Sequence, residues 1–122
     1  MKHNEYTQLR SELTKKGYRY QSSAISGIAS HSFSKPFGKY HNPYDDEKRS
    51  CYQIIYEVYD YRPFAPKAPT DYGIEVRFIV SRTIDDRVDM VIAYEGQSIS
   101  YLERLAESLY EWVDKNIKLD EK

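Results

Sequence analysis

Three stretches, "CYQIIYEVYDY" (51–61), "GIEVRFIVSR" (73–82) and "RVDMVIAYE" (87–95), share one pattern, an apolar side chain at every second position. Period two is the signature of a strand with one face turned to a core. The even-numbered residues make that face: Tyr52, Ile54, Tyr56 and Val58, then Ile74, Val76, Phe78 and Val80, then Val88, Met90, Ile92 and Tyr94. The connections "RPFAPKAPTD" and "TIDD" are too short to hold a crossover helix, so the three strands are expected to form an antiparallel meander.

Side-chain complementarity suggests the register. Setting Glu57 opposite Arg77 also sets Ile55 opposite Ile79 and Val58 opposite Val76, whereas a slide of two residues brings Glu57 against Glu75. The first register is therefore expected, with Ile79 facing Val91 and Phe78 facing Ile92 on the next strand. It implies an apolar row of Ile55, Ile79 and Val91 on the second face, with Ala93 beside it and Tyr59 along the same strand. Such a row needs a cover, and the N-terminal segment or a second copy of the chain would supply one.

The last element reads as an amphipathic helix over 100–118. A capping box from Ser100 to Glu103 opens it, and Leu102, Leu105, Ala106, Leu109, Val113 and Ile117 form its apolar stripe, which packs on the even-numbered sheet face. Glu103 is assigned to its solvent side. A shorter helix runs from an Asn4 cap to about Lys16, with Tyr6, Leu9 and Leu13 on one side and Gly17 to end it. Between Tyr18 and Ser34, six serines and a weak alternation of Ile25, Ala29 and Phe33 allow one or two short strands inside an irregular serine- and aromatic-rich segment, 18–50. The expected fold is an α+β two-layer domain: N-terminal helix, antiparallel sheet of three to five strands, C-terminal helix on the sheet.

A chain of 122 residues is read as a single domain, 1–122, able to bury its own core. Its lone cysteine, Cys51, forms no internal disulfide, and no run of ~18 apolar residues could span a bilayer; a cytoplasmic, unanchored protein is the expectation. The formal net charge of -1 argues against a basic nucleic-acid binder. Charge is nonetheless uneven. Residues 1–42 carry seven Lys/Arg against two acids and residues 43–122 eleven against seventeen, so the halves can attract each other as they pack.

Catalytic motifs are absent from the sequence. His3, His31 and His41 lie outside the expected core in no catalytic context, and no two glycines have phosphate-loop or dinucleotide spacing. The histidine spacing matches no ligand pattern, so neither a metal nor another cofactor is expected. What remains points to binding. Thirteen tyrosines exceed what the core pattern uses, and tyrosine and arginine are side chains that carry protein interfaces. The expectation is a non-catalytic module acting through protein–protein contacts, a homodimer through Ile55, Tyr59, Ile79 and Val91 being one form of it.

Two loops supply further candidate partner residues. "HSFSKPFGKYHNPYDDEKR" (31–49) interleaves Lys35, Lys39 and His41 with Phe37, Tyr40 and Tyr44, a pairing of charge and stacking surface that also suits single-stranded nucleic acid, the alternative reading. Its acidic triplet Asp45, Asp46 and Glu47 opposes that alternative. "YRPFAPKAPTDY" (61–72), with prolines at a spacing of three, adds Arg62 and Phe64. The order helix, meander, helix is similar to that of double-stranded-RNA-binding domains. Those domains begin the second helix with a lysine cluster where this chain reads "SISYLER", so it is not placed among them.

Overall fold

The computed structural model describes residues 1–25, 27–37, 51–64, 66–68, 70–81, 87–93 and 97–116. Helix α1 (His3–Lys15) leads into five strands, β1 (Arg19–Ile25), β2 (Ile28–Phe37), β3 (Cys51–Asp60), β4 (Tyr72–Ser81) and β5 (Arg87–Ala93), and helix α2 (Ile99–Asn116) follows. The strands form one antiparallel sheet in sequence order, β1-β2-β3-β4-β5. This is the expected α+β two-layer arrangement.

The one or two short strands allowed between Tyr18 and Ser34 are two, and they are paired with each other. β1 and β2 pair from Arg19 opposite Ser34 to Ile25 opposite Ile28, with Gly27 in the turn. Alternation is present there but muted, because Ser30, Ser32 and Ser34 occupy the face away from the helices while His31, Phe33 and Lys35 share the core side with Val58, Tyr56 and Ile54. Residues 38–50 lie outside the described set, as does the 82–86 turn.

Both helices cover the even-numbered face of β3 and β4. Tyr6 and Leu13 of α1 and Ile99, Leu102, Ala106 and Val113 of α2 are buried in one core with Phe33, Ile54, Tyr56, Val58, Val76, Phe78 and Val80. At ~25 cal/mol per Å² of apolar surface removed from water, closing that face is the dominant stabilising term. Tyr18, between α1 and β1, ties that link to α2: its hydroxyl donates to Glu103 Oε2 at 2.9 Å and its ring meets Tyr56 edge-on. Glu103 is thus turned into the layer instead of outward, with Lys16 and Lys35 ammonium groups 3.8 Å from its carboxylate. Basic residues of the first part of the chain here meet an acid of the last.

Both helix starts differ from expectation. The backbone of Lys2 caps α1, its N–H donating to Glu5 Oε1, so Asn4 lies inside the helix. Ser98 caps α2, its Oγ accepting from the Tyr101 N–H, two residues ahead of Ser100. In each case a cap that binds the backbone sits earlier than the residue type that suggested it. The end of α1 follows the sequence: Gly17 adopts φ +88°, and Gly17 and Tyr18 N–H groups return to Thr14 and Leu13 carbonyls.

The register of β3 and β4 is the one complementarity disfavoured. Glu57 faces Glu75, Ile55 faces Arg77 and Val58 faces Ile74. Arg77 resolves the clash from the next position along, its guanidinium lying 3.3 Å from Glu57 and 3.8 Å from Glu75 and pairing tightly with Asp89 of β5. One cation satisfies three carboxylates, Glu75 on its own strand and one on each flanking strand, which direct opposition to Glu57 alone would not achieve. β5 moves correspondingly, with Ile79 facing Asp89 and Phe78 facing Met90. A β-bulge then intervenes, since Arg77 pairs with Val91 but Val76 pairs with Ala93. The extra residue turns Ala93 into the core, against the expectation that it lay on the second face.

Replacing Arg77 with Met should cost on the order of 2 kcal/mol at neutral pH, between the values for surface and buried ion pairs. In urea denaturation, Asp89→Asn should cost on the order of 1 kcal/mol less in that variant than in the parent, because the pair is already broken. Strictly additive losses would contradict the pairing.

Candidate binding surface on the outer sheet face

With α1 and α2 on one side, no described helix or strand covers the other face of the sheet. Across its middle the register aligns Arg19, Ser34, Ile55, Arg77 and Val91, one from each strand. The neighbouring row runs Gln21, Ser32, Glu57, Glu75, and the next Ser23, Ser30, Tyr59, Gly73. Arg77 organises the centre. Its Nη1 donates to Glu57 Oε1 and its Nε to Asp89 Oδ1 at 3.1 Å, while Tyr59 donates its hydroxyl to Glu57 Oε2 at 2.7 Å. Burial first and that carboxylate second push the Tyr59 phenol up to about 12. At the lower corner Tyr59 stacks on Tyr61, whose ring fills the space above Gly73; a Cβ there would lie 2.6 Å from it.

The self-association residues divide on this face. Val91 is 41% exposed, Ile55 and Tyr59 are half-buried, and Ile79 is buried. They do not make the unbroken apolar row expected. The shift of two residues puts Arg77 between Ile55 and Val91 and sets Ile79 between Gln53 and Asp89. The result is a charged centre flanked by apolar side chains. Beside it, Gln53 is buried and its Oε1 has no hydrogen-bond partner.

Of the loop candidates, Lys39, Tyr40, His41 and Tyr44 lie outside the described residues, and Phe37 is described only as the last residue of β2. Lys35 is spent internally: its ammonium donates to the Lys16 carbonyl at 2.9 Å and sits over the Tyr18 ring. Phe64 is exposed in the short 3-10 turn Arg62–Phe64. Arg62 forks onto the buried Asp60, Nε to Oδ1 at 3.0 Å and Nη2 to Oδ2 at 2.8 Å, and lies over the Tyr72 ring. The Arg62 hydrogen bonds hold the Asp60 carboxyl below its usual range.

That pair belongs to a cluster that sequence reasoning missed, because the histidines appeared to lie outside the core. His3 Nδ1 and the Tyr72 hydroxyl are 2.9 Å apart, and Tyr6 stacks on Tyr72 with centroids 4.6 Å apart. His31 packs against Tyr6 and lies 2.7 Å from the Tyr20 hydroxyl, its pKa lowered chiefly by burial. The available signal was the position of His31 two residues before Phe33 on one strand face. The cluster clamps the start of α1 to the sheet. Among the described residues no three of His, Cys, Asp and Glu converge as metal ligands, and no helix is long and apolar enough to cross a membrane. Compared with protein-family models, curated proteins and solved structures, the chain matches none.

Because Asp60 is held ionised by the fold, its contribution should be full above about pH 4 and fade as pH falls through its depressed folded value. Asp60→Asn should cost about 1 kcal/mol at neutral pH, modest because Arg62 is half exposed to solvent. Thermal melts across pH should show the variant and the parent converging in acid; a constant gap would refute the clamp.

Proposed function

We propose that the protein is a non-catalytic binding module acting through protein–protein contacts made by the outer sheet face, with a second copy of the chain as the partner that face suits best. One observation carries the reading: both described helices lie on the inner face, while Ile55, Tyr59 and Val91 surround a fixed Arg77 on the other. The face holds both signs of charge, Arg19 and Arg77 against Glu57, Glu75 and Asp89. Two copies related by a two-fold axis could therefore set cations of each against carboxylates of the other. The single cysteine suits a reducing compartment such as the cytoplasm.

Size sets the strength. Five strands ~4.8 Å apart and about seven residues long at ~3.3 Å each span on the order of 500 Å² per copy, or about 1,000 Å² in all. Stable interfaces bury roughly 1,200–2,000 Å², so a weak, concentration-dependent association is expected.

Light scattering across a concentration series should show the mass rising toward that of a dimer. Val91→Glu should keep the chain monomeric, and Trp112→Glu, at the exposed side of α2, should leave association unchanged. A parent chain that stays monomeric at millimolar concentration would sink the self-association reading.

A further inference from the structure

On the opposite side of the sheet from that surface, a cleft of about 190 Å³ opens between the first half of α1 and the first turn of α2. Its walls are Leu9, Ile74, Val76 and Leu102, with Tyr56 of β3 beside them. Tyr56 is 1% exposed, yet its hydroxyl has no hydrogen-bond partner. Glu5 of α1 and Gln97, just ahead of α2, join the lining and are both exposed, and Met1 and Ala93 lie beside them. Apolar walls with a carboxylate at the mouth are the ingredients of a small-molecule site.

Two features fix the occupant. A cavity of ~150 Å³ accepts a benzene ring, so this one accommodates a six-membered ring with one or two further carbons and nothing of drug size. Among the described lining residues Glu5 carries the only charged side chain; it takes one hydrogen bond from the Lys2 N–H and keeps lone pairs to spare. The Met1 amino group, also nearby, donates to Thr70 Oγ1 and the Tyr72 carbonyl. We propose that the cleft binds a small arylalkyl amine, its ring between Leu9 and Leu102 and its ammonium on the Glu5 carboxylate. This site is independent of the outer face and stands or falls separately.

The test is an NMR titration of the full chain with phenethylamine, of about nine non-hydrogen atoms, for which a Kd on the order of 0.1–1 mM is reasonable. Shifts should centre on Leu9, Ile74, Val76 and Leu102, and 3-phenylpropionate, of similar size and opposite charge, should bind at least about tenfold more weakly. Glu5→Gln keeps a residue that can cap the helix from that position, and it should erase the preference for amine over acid. Ala93→Leu, which fills the cleft from β5, should abolish binding of both. Circular dichroism checks that each variant folds, and Glu5→Gln alone is decisive if Ala93→Leu does not. Equal affinity for amine and acid, shifts confined to other residues, or no shifts at ten times the expected Kd would each overturn the assignment.

Discussion

The fold depends on the need to cover one continuous apolar face, Ile54, Tyr56 and Val58 beside Val76, Phe78 and Val80. Helix α2 alone does not cover it. Its buried residues Leu102, Ala106 and Val113 are joined there by Tyr6 and Leu13 of α1. Both helices are thereby committed to one side, and the Tyr18–Glu103 hydrogen bond ties the link that follows α1 to α2. An outer face that carries no described helix and the cleft between the helices are two consequences of that single commitment.

Arg77 makes the arrangement specific. An alternating strand can slide by two residues without moving its apolar side chains out of the core, so burial alone does not select the register. The polar face decides. Arg77 reaches Glu57, Glu75 and Asp89 in the observed register, and the same network becomes the centre of the proposed interface. A stability determinant and a candidate recognition element are here one set of side chains.

Sequence periodicity made the meander, the antiparallel sense, the helix stripes and the Gly17 stop legible, because each rests on local spacing. It did not reveal the register, because pairing residues face to face ignores a long arginine that bridges diagonally. Nor did it reveal the bulge that turns Ala93 inward, which depends on how β5 meets β4 at Val76 and Arg77. β1 and β2 were obscured by serines, which mark a strand's polar face no more clearly than they mark a loop. Of the candidate site, Ile55, Tyr59 and Val91 were found by face alone, while Arg77 was read as a pairing residue and not as the hub. Lys35 read as a loop cation because nothing local announces that Lys16, Tyr18 and Glu103 would fold around it.

The inner layer thus holds most of the buried apolar residues, and the outer face carries the mixture of charge and apolar side chains on which the proposed association rests. The most direct test is a dilution series followed by NMR on a sample labelled at isoleucine and valine methyl groups. The account predicts that signals of Ile55 and Val91 shift with concentration while those of Ile54, Val76 and Val80 stay fixed. Concentration-dependent shifts confined to residues of α1 and α2, with Ile55 and Val91 unmoved, would contradict it.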